Sequence, residues 1–218
     1  GKNTAPCIGL GAVHVQLRDP DGVVIVLPAD HLIYDEKRYR HILKRGCELA
    51  QAIDGLVTIG IPPNRPATGY GYVQVSEEMK TFEDAAAYRV KTFAEKPNLA
   101  TAQRFLGSGD FLWNSGIFIF KASVYMKALE LCLPEVFEAM IEVKEALGTP
   151  EFDHVLNTAY QELKPISIDY GVMEHVDNVY LVRGDFAEDV QLQQPLRRVS
   201  ALPRHGHDAE ARRGPDSS

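Results

Sequence analysis

The chain has 218 residues, 45% apolar and 24% charged, with a net charge of −7, which suits one ordinary domain with a sizeable core. Residues 1–190 hold 18 Lys/Arg against 27 Asp/Glu, a balance of −9, whereas residues 191–218 hold five Arg against three acids. An acidic body argues against nonspecific nucleic-acid binding, and no run approaches the ~18 apolar residues of a membrane span; pockets for small anions stay open.

Cys7, Cys47 and Cys132 are odd in number and far apart. That is the pattern of reduced thiols rather than of a metal cluster or disulfide framework. With no signal-peptide pattern at the start, a cytoplasmic location is expected.

In chain order, Asn3 or Thr4 caps a helix running to Leu17, with Pro6 in its first turn. "GLG" at 9–11 lies inside this helix and lacks the rest of a dinucleotide fingerprint, so it reads as packing. "DPDG" turns the chain into "VVIVLP", a continuously apolar run expected as a strand buried on both faces. A helix from about Asp35 to Ile53 leads to a second buried strand, "GLVTIGI". Strand, helix, strand at this spacing implies a parallel βαβ arrangement covered by helices.

"PPNRPATGYGYVQV" is a Pro/Gly-rich loop entering an extended segment, and "YRVKTFAEKP" is a strand halted by Pro97. "NLATAQRFLGSG" is a short helix; "WNSGIFIFKA" reads as a Gly-containing turn into an apolar strand. Residues 122–163 are mostly helical, broken at Pro134 and at "GTP" 148–150. "SIDYGVMEH" predicts a short helix and "NVYLVRG" a last strand. The fold class is α/β, with a mixed, mainly parallel sheet flanked by helices.

In open α/β sheets ligands bind beyond the carboxyl ends of the strands, so polar residues just after buried strands are the first candidates. "VVIVLPADH" places Asp30 and His31 there. Asp30 suits a Mg²⁺ ligand, and equally a cap for the following segment. Gly69 and Gly71 let backbone approach a ligand, or simply make a turn. Glu95 could accept from sugar hydroxyls and Lys96 neutralise a phosphate, or the two could form a surface ion pair. As strand neighbours they would point to opposite faces, so sharing a pocket requires a bend at the strand end. Asn114, in "WNSG", can donate and accept at once, which suits vicinal hydroxyls; a plain turn beside a buried Trp113 is the alternative. Asp169, Tyr170 and Glu174 are further candidates, against helix capping by Ser167 or Asp169.

The succession "KNTAP", "VLPADH", "TGYGYV", "FAEKP", "WNSGIFIF", "ISIDYGVME" and "VRGDF" resembles the mannose-1-phosphate guanylyltransferase family of sugar-phosphate nucleotidyltransferases. The resemblance runs from Lys2 to about Val190. It implies a Rossmann-like nucleotidyltransferase fold, incomplete at the N-terminus, and the Mg²⁺-dependent conversion of GTP and mannose 1-phosphate to GDP-mannose and diphosphate. The sugar phosphate would attack the α-phosphorus in line, so catalysis would rest on positioning and charge neutralisation. By the same resemblance, Asn3 and Thr4 lie near guanine, Asp30 binds metal, and Gly71 offers its backbone to the sugar. Glu95 binds mannose hydroxyls, Lys96 holds the sugar phosphate, and Asn114 with Ser115 and Gly116 contacts mannose. Asp169 belongs to the sugar and metal neighbourhood. A homodimer is compatible with the pattern.

Family members open with a Gly-rich G-x-G-T-R loop and a Lys that wrap the GTP phosphates, a segment residues 1–218 do not contain. The family's closing pattern, roughly G-D-F-x-W-x-D-V-G-S-W, carries a second metal ligand. Here "GDFAEDVQLQQ" matches it with Asp189 but lacks both Trp and Gly-Ser. The expectation is a partial nucleotidyltransferase domain over 1–190 that does not turn over alone. Residues 191–218 have no aromatic, Ile or Lys, yet hold five of thirteen Arg. They read as a non-family, disordered tail following a frame change near Val190. The alternatives are a catalytically inactive sugar-nucleotide-binding or regulatory subunit, and a nucleotidyltransferase for a related sugar phosphate.

Overall fold

The computed structural model describes residues 1–82, 85–184 and 191–192. Helix α1 (Thr4–Gln16) starts where expected, with the Thr4 amide donating to Asn3 Oδ1 at 2.8 Å. Strand β1 (Val23–Val26) and the two-residue β2 (His31–Leu32) precede α2 (Glu36–Ala52), whose Asp35 cap accepts from the Arg38 amide at 2.9 Å. Then come the buried β3 (Leu56–Ile61), β4 (Tyr72–Phe82) and β5 (Ala85–Ala94). Asn98 caps α3 (Leu99–Ser108), and Gly109 at φ 79° ends it with the left-handed step that only glycine takes cheaply.

Strand β6 (Phe111–Lys121) is followed by α4 (Ala122–Cys132), α5 (Pro134–Ala146) and α6 (Phe152–Glu162), with breaks at Pro134 and 148–150 as read from the sequence. A π-helical turn (Asp169–Met173), β7 (Val179–Arg183) and β8 (Gln191–Leu192) complete the described elements.

Six strands form a mixed sheet in the order β1-β6-β3-β7-β5-β4, and β4 also pairs with β6. The described registers make β1, β3, β4 and β7 run one way and β5 and β6 the other. β1 and β3 are parallel to each other, as the βαβ spacing implied, but they are not neighbours. β6 lies between them, antiparallel to both, and the hydrogen-bonded parallel pair is β3–β7. Spacing fixes the direction of a crossover, not which later strand fills the gap it leaves. β1 is also less enclosed than its apolar run suggested, with Ile25 41% exposed. An apolar run of four residues cannot by itself distinguish a covered strand from one with an open face.

Alternation along β6 feeds two cores. Phe118 and Phe120 join Ile8, Val13, Leu129 and Met140 on the α1–α4–α5 side, while Ile117 and Ile119 join Ile42, Leu49 and Ile59 under α2. Gly9 fits the packing reading: a Cβ there would lie 3.0 Å from Met140 Cγ. The three cysteines are free; burial raises the thiol pKa of the half-buried Cys47 and Cys132, holding both protonated. Gln191–Leu192 pair with His31–Leu32, and the expectations for residues 193–218 lie outside the described residues.

Candidate functional site

The carboxyl end of β5 supplies the first two groups. Glu95 and Lys96 follow the strand's last residue, and Lys96 adopts φ 46°. Pro97 disfavours the right-handed helical region for the residue before it, and the left-handed step costs a non-glycine residue about 1–2 kcal/mol. This is the bend that a shared pocket requires. It turns the Lys96 ammonium back onto its neighbour, where Nζ donates to Glu95 Oε1 at 2.5 Å. The Glu95 side chain is 9% exposed and that of Lys96 57%, so a buried carboxylate holds a cation that faces solvent. The hydrogen bond to Glu95 raises the Lys96 pKa against the opposing effect of burial.

The bulge in β6 supplies the third group. "WNSG" is not a turn leading into a strand but an interruption within one: a step of two residues along β3, from Thr58 to Gly60, is matched by a step of four along β6, from Phe118 back to Asn114. Gly116 at φ 73° takes the left-handed step, and side chains replace the missing ladder bonds. The Gly116 amide donates to Asn114 Oδ1 at 3.1 Å and the Ile117 amide to Ser115 Oγ at 3.2 Å. Thus Ser115, 3% exposed, shapes the bulge, while the Asn114 amide group is fixed with its oxygen inward and its nitrogen free to donate elsewhere.

That nitrogen donates to Asp169 Oδ1 at 2.9 Å. Asp169 opens the π-helical turn, and its carboxyl is pushed up to about 6, first by burial and then by the Glu95 carboxylate; Asn114 and Lys96 pull the other way. The turn is held by the N-terminal segment. The Ile168 amide donates to Thr4 Oγ1 at 2.9 Å, the Ile166 amide to the Lys2 carbonyl, and the Ala5 amide to the Ile166 carbonyl. Thr4 therefore touches the backbone that presents Asp169, and Asn3, at φ 69°, caps α1 beside it.

Gly71 closes the group. Its carbonyl accepts from the Asn114 amide at 2.8 Å, and a Cβ on it would collide with the Glu95 carboxylate. A side chain here would have to displace that carboxylate, so glycine leaves Glu95 in its place. Pro28 lies against Gly116, at 3.3 Å from where its Cβ would be, which brings the turn after β1 to the bulge.

Glu95, Lys96, Asn114 and Asp169, with Gly71 beneath them, thus form one continuous polar cluster level with the carboxyl end of β3, where Gly60 faces Asn114. Asp30 is exposed in the turn after β1. Its neighbour His31 is half-buried, and burial lowers its pKa despite Asp30, favouring the neutral imidazole. Asp189 lies outside the described residues. Among the described residues no three His, Cys, Asp or Glu gather as a metal cluster. A single exposed carboxylate still fits Mg²⁺, which keeps water and phosphate oxygens as most of its ligands.

Thr58 escapes a reading of the sequence. It is fully buried, with Oγ1 3.1 Å from Asn114 Oδ1 and 3.0 Å from the Ile117 carbonyl oxygen. A lone threonine inside "LVTIGI" carries no signal of its own, because threonine is an ordinary strand residue.

Two acceptor carboxyls, a fixed amide donor and one outward-facing cation suit a polyhydroxylated ligand bearing an anionic group. The sequence pattern of the family described as nucleotidyl transferase matches residues 1–155. The chain is 36% identical over 211 residues to the mannose-1-phosphate guanylyltransferase of Escherichia coli K12, a match that covers 95% of this chain and 44% of that protein. Among solved structures, a mannose-1-phosphate geranyltransferase from Thermus thermophilus superposes with a TM-score of 0.74 at 33% identity, over 84% of this chain and 50% of that one. A mannose-6-phosphate isomerase from Helicobacter pylori superposes with a TM-score of 0.69 at 31% identity, over 84% and 69%. The chain spans less than half the length of the E. coli relative it matches. It belongs to the nucleotidyl transferase family.

Proposed function

We propose that the protein carrying this chain transfers GMP from GTP to mannose 1-phosphate, giving GDP-mannose and diphosphate. The observation that carries this reading is the Glu95–Lys96 pair set against Asn114 and Asp169. Together they offer hydroxyl partners and a phosphate partner a few ångströms apart. Relatives named for mannose-1-phosphate guanylyl transfer point to the same sugar phosphate. The isomerase name of one structural neighbour is not adopted, because the matched family over residues 1–155 is that of nucleotidyl transferases.

In this reading Lys96 neutralises the sugar phosphate, Glu95 and Asp169 accept from sugar hydroxyls, and Asn114 donates to or accepts from a third. Gly71 leaves room for the ring, and Thr4 and Asn3 lie toward the base. Holding the phosphate oxygen in line with the α-phosphorus is the main contribution of such a site. Asp30, with Asp189, would hold Mg²⁺, which when bound neutralises phosphate charge.

The test is diphosphate release from GTP and mannose 1-phosphate with Mg²⁺ by the protein carrying this chain. Release abolished by Asp30→Ala supports the reading. Equal rates with glucose 1-phosphate or with UTP overturn it, and binding of GDP-mannose without release selects the sugar-nucleotide-binding alternative.

A further inference from the structure

The loop that delivers Gly71 is held by a clasp of three residues, Arg65, Tyr70 and Trp113. The Arg65 guanidinium carbon lies 5.8 Å from the centroid of the Tyr70 ring and 5.7 Å from that of Trp113, and Nη2 is 3.4 Å from the Tyr70 hydroxyl. The two rings meet edge to face, with centroids 5.1 Å apart. Both distances from the cation are within the range of a cation–π contact. Buried indole nitrogens usually find an acceptor, yet Trp113, 5% exposed, has its Nε1 buried without a hydrogen-bond partner among the described residues. Ring contacts, rather than a polar tether, orient this indole.

The consequence follows from chain order. Tyr70 precedes Gly71 and Trp113 precedes Asn114, and the Asn114 amide donates to the Gly71 carbonyl. The aromatic contact thus sits one residue before each member of the backbone bond that fixes the site. The loop's other anchor is Ala67, whose carbonyl accepts from the Tyr72 hydroxyl at 2.9 Å and whose amide donates to the Arg65 carbonyl. Between the anchors, Gly69 is exposed, and a Cβ on it would meet nothing. Tyr70 is therefore where the outer part of the loop is tied down.

We infer that Arg65 is a positioning residue: by clasping Tyr70 against Trp113 it holds the 67–71 loop on β6 and sets the place of Gly71 beneath Glu95. Its relevance to ligand binding rests on the sugar-phosphate reading above; the clasp itself does not.

Trp113 is the chain's sole tryptophan, so tryptophan emission reports this one position. The experiment compares the wild-type chain with Arg65→Met, which keeps the aliphatic stem, and with Arg65→Lys, which keeps the charge. Three readouts are taken: acrylamide quenching of Trp113, amide hydrogen exchange at Asn114 and at Phe120, and affinity for mannose 1-phosphate. Arg65→Met is expected to raise quenching and Asn114 exchange about two- to fivefold, the factor an exposed cation–π contact is worth, while Phe120 exchange stays as it was. Mannose 1-phosphate affinity falls by a similar factor, and Arg65→Lys recovers most of each effect. Unchanged quenching and unchanged Asn114 exchange overturn the inference. So does faster exchange at Asn114 and Phe120 alike, which marks a general loss of stability. If Asn114 and Trp113 respond as expected but wild type does not bind mannose 1-phosphate, the clasp stands and the sugar-phosphate reading fails.

Discussion

The side-chain amide of Asn114 donates from Nδ2 to Oδ1 of Asp169 at 2.9 Å, joining the bulge of β6 to a π-helical turn 55 residues further along the chain. That bond is what makes two separate sequence motifs into one site. It also keeps a carboxyl group buried beside Glu95, an arrangement with a measurable dependence on pH.

The folded Asp169 carboxyl titrates near 6, above the ordinary value of about 4 for an unfolded aspartate. Between those values the folded state holds more protons than the unfolded state, so this group makes stability fall as pH rises from about 4 to 6. Asp169→Asn keeps an acceptor for Asn114 and removes the charge. It is expected to stabilise the chain by about 1–2 kcal/mol at pH 7, the size of that upward shift discounted for partial exposure, and by little at pH 4. Urea unfolding at the two pH values checks it, and an equal gain at both contradicts the assignment.

Gly71 and Gly69 separate close approach from ordinary turn flexibility. Gly71→Ala drives a methyl group into the Glu95 carboxylate, whereas Gly69→Ala points into open space. The first is expected to break the Glu95–Lys96 geometry and lower sugar-phosphate affinity about tenfold or more, the scale of one charged hydrogen bond. The second should leave affinity near wild type. Titration of both variants with mannose 1-phosphate decides, and equal effects would remove the case for a crowded Gly71.

Thr58→Val preserves shape and deletes the hydroxyl between Asn114 and the Ile117 carbonyl. The expected cost is about 1–3 kcal/mol of stability, since a buried acceptor is left unpaired. A weaker grip on mannose 1-phosphate should accompany it, because Asn114 loses a constraint. Urea midpoints and ligand titration report the two effects independently; a fully neutral variant would show that Asn114 does not depend on Thr58.

Much of this was legible in the sequence. The helix start at Asn3 or Thr4, the helix from about Asp35, the breaks at Pro134 and 148–150, and the buried "GLVTIGI" strand are local features, and local chemistry predicts them. The order of motifs also singled out Glu95, Lys96, Asn114 and Asp169, side chains that the fold brings together. What stayed hidden depends on long-range pairing. The neighbour that separates β1 from β3 is β6, a strand that arrives only after β4, β5 and α3. "WNSG" reads as a turn because a bulge inside a strand uses the same residues as a turn, and only a partner strand tells them apart. The requirement for a bend at Lys96 was visible, but the left-handed backbone that meets it was not. Thr58 and Arg65 act through neighbours that no spacing rule connects to them.

The most direct measurement of the central claim is calorimetric titration of mannose 1-phosphate and of GTP onto wild type and Lys96→Ala. Lys96 presents the cluster's outward-facing cation, and a charge-assisted contact is worth about 1.5–3 kcal/mol. The expected result is that Lys96→Ala weakens mannose 1-phosphate about ten- to a hundredfold and leaves GTP nearly unaffected. Equal loss for both ligands, or mannose 1-phosphate binding that ignores the substitution, would contradict it.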